Sequence, residues 1–264
     1  MSTGSLVHFR QSRKPALAGD ATNCLSCKAE PVCLYSANKI YKTKLQADDH
    51  GFPIKVIMPE IEDVLRSGGN VAAEALLQER LAEDYDDNTV DKDSRSWYGR
   101  CVYEAGNDVC DDQFVTLTWD EEEVGGKPAS GRGPKTASLH MVAFTEAVCE
   151  RRSRIYGTKG EIEADSKVIK VYDFASGTTH THTPHQAGGG HGGGDEGLAR
   201  QYILAIDAVK NHGMSVADAQ DRYIGCTMED VIRSHAMVFA AEEARNCRKV
   251  INWSEWWQRE VARK

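Results

Sequence analysis

The hydrophobic pattern changes period along this chain, and that change constrains the fold more than any other feature. Between residues 97 and 182, apolar residues alternate with polar ones in short runs separated by Gly, Asp and Ser, as in the strands of a sheet. From residue 198 to residue 239, apolar residues instead recur at helical spacing in two stripes. Strands followed by helices predict an α+β fold, with an open, mostly antiparallel or mixed sheet and helices packed on one face.

The rest of the chain adds a few elements to this plan. Its 264 residues fit one large domain, which we expect to span residues 1–264. The sequence predicts a strand over residues 5–9, a short helix over residues 35–42 and a helical, acidic insertion over residues 46–96. A stretch rich in Gly and Pro predicts a flexible hairpin loop over residues 121–135.

Charge and hydropathy limit the partners that this chain can have. It has 32 Lys and Arg against 40 Asp and Glu, a net charge of −8 that repels phosphate backbones and anionic membrane surfaces. Its first residues lack the pattern of a signal peptide, and no stretch is long and apolar enough to cross a membrane. We therefore expect a cytoplasmic protein that binds a small-molecule substrate and neither nucleic acid nor a membrane.

The densest candidate site is a segment rich in His and Gly before the last third of the chain. Four His residues fall within twelve positions, His191 has three Gly on each side, and Asp195 can cap the helix that follows. Glycines let a ligand approach the backbone, and a flexible loop offers little packing that would explain a His. We expect His191, Asp195 and His185 to be catalytic, with His191 at the wall of a largely apolar pocket.

Two other interpretations of this segment stay open. His180 and His182 are alternate residues of one strand, which favours a structural role in the sheet, and Asp195 is then only a cap. His185, His191 and Asp195 also provide three metal ligands, although their spacing matches no standard zinc signature. A hydrogen-bonding or acid/base role for His191 is favoured over the metal.

A second candidate site is a loop with three cysteines near the N-terminus. Cys24, Cys27 and Cys33 provide three thiolates for a structural zinc, with His8 as a fourth ligand. The alternative, equally open, is three buried thiols that only pack; a redox disulfide is less favoured because no thioredoxin-like context surrounds the pair. The other five cysteines sit singly among apolar residues and are expected to be small core residues: Cys101, Cys110, Cys149, Cys226 and Cys247.

Two further groups of residues are candidates for binding. Polar residues cluster at the start of a predicted strand and are expected to bind substrate: Asn107, Asp111 and Gln113. The alternative is an ordinary turn rich in Asn and Asp. Three Trp residues near the C-terminus mark a helix that we expect to pack on the domain or to face an oligomer partner: Trp253, Trp256 and Trp257.

Several segments spread over most of the chain carry a family resemblance. They are Gly4-Ser5-Leu6-Val7-His8-Phe9, Cys33-Leu34-Tyr35-Ser36-Ala37, Gly99-Arg100-Cys101-Val102-Tyr103 with Asn107-Asp108-Val109, Met141-Val142-Ala143-Phe144-Thr145, Arg154-Ile155-Tyr156-Gly157-Thr158-Lys159-Gly160-Glu161, Gly189-Gly190-His191-Gly192-Gly193-Gly194-Asp195 and Val238-Phe239-Ala240-Ala241-Glu242-Glu243-Ala244-Arg245. Together they resemble the C-terminal substrate domain of the Gfo/Idh/MocA oxidoreductases, the glucose-fructose oxidoreductase and inositol dehydrogenase family.

The resemblance carries expectations about fold and site. It implies an open, helix-flanked sheet of the kind that this family uses to build oligomers. It implies that His191 and Asp195, in the matching Gly-rich motif, face the substrate. It also makes Arg100 and Thr145, which lie in matching segments, candidate substrate-binding residues.

The chain also departs from the family in ways that bear on function. The sequence contains neither the Gly-rich turn of a Rossmann domain nor the family's Glu-Lys-Pro motif, so hydride transfer has no donor here. The region over residues 84–96 is longer than the family pattern, and Asp112 stands where a His is expected.

These departures favour a cofactor-independent enzyme that carries out a non-redox cyclisation or isomerisation of a specialised metabolite, similar to a pericyclase or Diels-Alderase. One alternative is the substrate domain of an NAD(P)-dependent oxidoreductase whose cofactor domain is separate. Another is a non-catalytic partner or scaffold subunit. We expect a homo-oligomer that forms through the sheet or the C-terminal Trp-rich helix.

Overall fold

A computed structural model describes residues 1–83, 96–104, 106, 108–121, 133–146, 150–186, 188 and 190–262. The chain forms two compact units, Thr3–Phe144 (the N-terminal unit) and Thr145–Lys264 with Met1–Ser2 (the C-terminal unit). The predicted α+β class is confirmed. The described strands form two sheets, however, rather than the single open sheet that was predicted. The single-domain organisation stays a prediction.

The N-terminal sheet has three strands in the order β1-β2-β3: β1 (Ser2–Ser5), β2 (Asp112–Trp119) and β3 (Lys135–Val142). Strands β2 and β3 pair antiparallel. The strand predicted over residues 5–9 is wrong, because β1 ends at Ser5 and the next backbone N–H groups donate to a side chain instead of a neighbouring strand. Most of the hairpin loop predicted over residues 121–135 lies outside the described residues.

Three helices build the core of the N-terminal unit: α1 (Ala37–Gln46), α2 (Ile54–Ile57) and α3 (Ile61–Ala82). Ser36 caps α1 by accepting the backbone N–H of Lys39, and Gly69, with φ of 63°, breaks α3. The largest apolar side chains that are fully buried here are Leu45, Ile54, Ile57, Met58, Ile61 and Leu81. Most of them belong to the predicted insertion over residues 46–96, so that segment supplies the core of this unit.

The C-terminal sheet has four antiparallel strands in chain order: β4 (Arg152–Tyr156), β5 (Gly160–Asp165), β6 (Ile169–Asp173) and β7 (Thr178–His182). The register places Ile155, Ile162, Val171 and His180 in one row across the four strands. Neighbouring rows alternate between the two faces, so one face of this sheet is apolar and the other is charged.

Four helices complete the C-terminal unit: α4 (Gly194–His212), α5 (Val216–Ala219), α6 (Met228–Cys247) and α7 (Trp253–Glu260). Trp256 of α7 is buried against Ala236 and Ala240 of α6. The Trp-rich helix therefore packs on its own chain. None of the helices described here is both long and apolar enough to span a bilayer.

Glu243 ties α7 to α6 and gives this contact a pH dependence. Its carboxylate accepts hydrogen bonds from Lys249 Nζ at 2.7 Å, Trp256 Nε1 at 2.8 Å and the Arg259 guanidinium at 2.7 Å. Hydrogen bonds from Lys249, Trp256 and Arg259 lower the pKa of Glu243 from 4.5 to about 2. A lowered folded-state pKa means that the stabilisation is complete above 4.5 and is lost as the pH falls through about 2.

We therefore expect acid to loosen α7 from α6 within this pH window. Acid titration followed by Trp fluorescence should show this transition in the wild type, and Glu243→Gln should remove it while lowering stability at neutral pH. Glu255→Gln changes a carboxylate of α7 that forms no ion pair with the described residues, so it should titrate like the wild type. Equal acid transitions in the wild type and Glu243→Gln would contradict this role for Glu243.

Candidate functional site

The Gly-rich turn before α4 folds the imidazole of His191 back onto the first turn of that helix. His191 has φ of 48°, and Gly192 and Gly193 have φ of 68° and 92°, so three successive residues take left-handed backbone conformations. His191 Nδ1 then lies 2.9 Å from each carboxylate oxygen of Asp195. Asp195 was predicted as a helix cap, but it lies within the first turn of α4 and binds His191 instead.

The hydrogen bond between His191 and Asp195 prepares the imidazole for proton chemistry. A carboxylate at Nδ1 favours the tautomer whose proton is on Nδ1, which leaves the Nε2 lone pair to accept a proton or a hydrogen bond. The side chains of His191 and Asp195 are 74% and 67% exposed, so a ligand can reach both. The amino end of α4 also favours negative charge at this position.

An apolar strip on α4 begins next to this dyad. Leu198 follows Asp195 by three residues, and Tyr202 follows Leu198 by four. All three side chains therefore lie along one stripe of the helix. Leu198, Tyr202 and the neighbouring Ile203 are largely exposed. A polar dyad beside an exposed apolar surface is suited to a ligand that is mostly hydrocarbon with one polar group.

The other histidines of this segment do not join the dyad. His185 is exposed and forms no hydrogen bond with any residue that the structure describes. His180 and His182 lie on β7 opposite Val171 and Ile169, on the apolar side of the sheet. The structural interpretation of His180 and His182 fits this placement.

The described residues enclose two cavities that could bind a ligand, and His191 lines neither of them. One, of about 700 Å³, lies between α6 and α7 and is lined by Ile232, His235 and Phe239 among others. The other, of about 20 Å³, lies in the N-terminal unit and is lined by cysteines. The apolar pocket expected beside His191 therefore stays a prediction.

Asp111 is held in a structural position. It is 3% exposed, and its carboxylate accepts the backbone N–H groups of Val7, His8 and Phe9 at 2.5–2.9 Å. Burial alone would raise its pKa, but these three hydrogen bonds outweigh it and lower the pKa below the ordinary value. Both oxygens of the Asp111 carboxylate therefore accept hydrogen bonds from the loop that follows β1. This arrangement favours a structural role for Asp111 over substrate binding.

The remaining predicted substrate-binding residues are scattered. Arg100 donates to the backbone carbonyl of Glu104 at 2.6 Å and pairs with Asn23 in a short antiparallel bridge. Gln113 lies on β2 opposite Met141, and Thr145 is exposed at the start of the C-terminal unit. Asn107 lies outside the described residues.

The cysteine loop forms a cavity whose composition the sequence did not predict. Cys24, Cys27 and Cys33 line it together with Cys101, which was expected to be an isolated core residue. Burial raises the pKa values of the Cys24 and Cys101 thiols, as in unreactive cysteines rather than nucleophiles. Cys226 and Cys247 are exposed, so their assignment to the core was wrong, and Cys149 lies outside the described residues.

His8, predicted as a fourth zinc ligand, does not line this cavity. Its ring packs among Phe9, Tyr35, Tyr103 and Phe144 at centroid distances of 5.0–5.9 Å. Among the described residues, no group of three or more His, Cys, Asp or Glu side chains is already arranged around a metal position.

No protein-family model, curated protein or solved structure matches this chain. The resemblance to the Gfo/Idh/MocA substrate domain thus depends on sequence motifs alone.

Proposed function

We propose that this chain is a cofactor-independent enzyme that cyclises or isomerises a specialised small-molecule metabolite, with His191 as its principal polar group. The observation that carries the proposal is the pair of 2.9 Å contacts between His191 Nδ1 and the carboxylate of Asp195. A carboxylate that orients an imidazole through Nδ1 is the arrangement that enzymes use to prepare Nε2 for acid/base work.

The apolar strip beside the dyad supports the same proposal. Binding of a hydrocarbon skeleton along Leu198 and Tyr202 would place one polar group of the ligand near His191 and would favour a reactive conformer. In an isomerisation, Nε2 takes a proton from one atom of the substrate and returns it to another, so the enzyme ends unchanged. In a pericyclic reaction, His191 would act as an imidazolium whose charge Asp195 stabilises, and it would donate an Nε2–H hydrogen bond to a carbonyl while bonds form and break within the substrate.

Non-redox chemistry is favoured over hydride transfer on sequence grounds. The sequence has no Gly-x-Gly-x-x-Gly turn between a strand and a helix near its N-terminus, and it contains no Gly-x-x-x-x-Gly-Lys-Ser/Thr loop. The Gly-x-Gly-x-x-Gly spacing over residues 188–193 follows β7, which pairs antiparallel, so it lacks the parallel strand-helix-strand context of a Rossmann turn. The Gfo/Idh/MocA-like fold, with a substrate site but no dinucleotide site of its own, remains part of the proposal.

Exposed apolar faces favour a second candidate, a subunit that acts in an assembly. Ile155 on the apolar face of the C-terminal sheet and Val238 and Phe239 on α6 are largely exposed. Faces of this kind commonly mark protein interfaces. Because Trp256 is already buried on α6, the sheet is the better candidate surface for a homo-oligomer than the Trp-rich helix.

Titration with NADPH tests the cofactor-independent proposal against the oxidoreductase alternative. We expect no saturable change in NADPH fluorescence when the purified chain is added, because the sequence lacks a Rossmann turn near its N-terminus. A dehydrogenase with a Rossmann domain serves as the positive control. Binding with micromolar affinity would contradict the proposal and would make the oxidoreductase function the better one.

A further inference from the structure

Three thiols of one loop and a fourth thiol that is distant in sequence line one small cavity of the N-terminal unit. Cys24, Cys27, Cys33 and Cys101 all line it, and its other lining residues are mostly apolar. The described part of the chain holds seven free cysteines, so more than half of them are gathered here. Only Cys101 has to be brought to this cavity by tertiary structure, since the other three cysteines share one loop.

A short antiparallel bridge brings the fourth thiol to the cysteine loop. Asn23 pairs with Arg100, the backbone N–H of Cys24 donates to the Gly99 carbonyl at 2.8 Å, and that of Cys101 donates to the Thr22 carbonyl at 2.7 Å. Cys24 and Cys101 therefore lie on adjacent strands of chain, one on each side of the bridge.

Tight turns return the other two cysteines to the same cavity. A single 3-10 turn over Cys24–Ser26 is closed by the N–H of Cys27, which donates to the Cys24 carbonyl at 3.3 Å. A second turn over Glu30–Val32 ends with the N–H of Cys33 donating to the Ala29 carbonyl at 2.9 Å. The backbone of all three loop cysteines is thus fixed by hydrogen bonds.

The helical core holds this arrangement in place. The buried side chain of Asn23 donates to the carbonyls of Leu81 and Glu83 at 2.8 and 3.0 Å, at the end of α3. A Cβ on Gly99 would lie 1.8 Å from the Leu81 carbonyl oxygen, so only glycine fits at this crossing. The positions of the four cysteines are consequently set by packing rather than by a cross-link.

Backbone N–H groups partly offset the burial that raises the pKa values of two of these thiols. The backbone N–H of Ala37 donates to Cys24 Sγ at 3.5 Å, and the N–H of Tyr103 hydrogen-bonds Cys101. Hydrogen bonds of this kind orient metal-bound ligands and stabilise their charge. The cavity volume of about 20 Å³ is enough for one water-sized occupant, which fits a single ion and not a four-iron cluster.

We propose that Cys24, Cys27, Cys33 and Cys101 bind one zinc ion as a four-thiolate structural site, with Cys101 as the ligand that completes the Cys-x-x-Cys loop. Four thiols release four protons as the ion binds, and no oxidation state changes. A soft all-sulfur set with tetrahedral geometry is the standard choice of zinc. Because the ligands do not yet surround one point, binding requires each Cys to rotate about its single χ1 bond between staggered positions.

The first test is the metal content of the full chain, expressed with added zinc and purified under reducing conditions. We expect about one zinc ion per chain by elemental analysis. Cys24→Ser and Cys101→Ser should lose most of this zinc on dialysis against a chelator, whereas His8→Gln and the matched control Cys226→Ser should retain it. Circular dichroism identifies any variant that has failed to fold.

X-ray absorption at the zinc edge of the wild-type protein decides the ligand set without any variant. Four sulfurs at about 2.3 Å would support the four-thiolate site. Three sulfurs and one nitrogen would overturn the role of Cys101 and would make His8 the fourth ligand. Folded wild-type protein that holds no zinc, or that contains a disulfide among the four cysteines, would overturn the site altogether.

Discussion

Replacing Asp111 with Ala is expected to lower the free energy of unfolding of the N-terminal unit by about 3–4 kcal/mol. The carboxylate is 3% exposed and accepts the backbone N–H groups of Val7, His8 and Phe9. Its removal leaves three partly buried donors without an acceptor in the protein, and each fully buried donor of this kind costs about 1–3 kcal/mol. Urea denaturation of both proteins, followed by circular dichroism, measures the difference.

Asp112 provides the matched control for this substitution. It is the next residue, and its carboxylate pairs at 3.0 Å with His140 on a partly exposed surface. Asp112→Ala should therefore cost less than about 1 kcal/mol. If the two variants lose equal stability, or if Asp111→Ala unfolds like the wild type, Asp111 does not organise the loop after β1.

His191→Ala is expected to raise the reaction barrier by about 2–4 kcal/mol, the usual cost of one hydrogen-bond donor to a developing charge. The fold should be unaffected, because the side chain is 74% exposed. Initial rates at saturating substrate, with the wild type and the variant at equal concentration, measure the effect. Asp195→Asn should also lower the rate, because an amide that donates to Nδ1 reverses the tautomer that the carboxylate favours.

His191→Gln separates the two mechanisms that the dyad allows. Gln keeps a hydrogen-bond donor but cannot transfer a proton, so retained activity supports a pericyclic reaction and lost activity supports acid/base catalysis. His212, which pairs with Asp207 at 3.2 Å on the same helix, is the matched control, and His212→Ala should leave the rate unchanged. Wild-type rates for His191→Ala would remove His191 from the site.

Local patterns predicted much of the fold. The α+β class and the strands of the C-terminal sheet follow from the alternation of apolar and polar residues in segments such as residues 169–173. The prediction of a strand over residues 5–9 was wrong because an alternating apolar pattern does not show that a distant side chain accepts the backbone N–H groups. Here that acceptor is the carboxylate of Asp111, 103 residues from His8. The core built by the segment over residues 46–96 depends on packing between helices, which a local pattern does not show.

The two candidate sites also differ in how far local sequence predicts them. His191 and Asp195 are four residues apart, so the sequence shows that they are close, but the contact depends on the left-handed turn over residues 191–193 and not on helical spacing. Cys101 is brought close to Cys24 by the bridge between Asn23 and Arg100. No local sequence pattern predicts a pairing between segments so distant in the chain. A Gly at position 99, two residues before Cys101, was the one sequence signal of a close backbone crossing.

Metabolite profiling tests the proposed function most directly. The purified chain, without any nicotinamide, is incubated with a small-molecule extract of the organism that encodes it, and the mixture is compared by mass spectrometry with one containing His191→Ala. Cyclisation and isomerisation conserve mass, so we predict that one compound is consumed and an isomer of equal mass appears only with the wild type. A conversion that changes the mass by two hydrogens and requires NAD(P), or no conversion that depends on His191, would contradict a cofactor-independent enzyme.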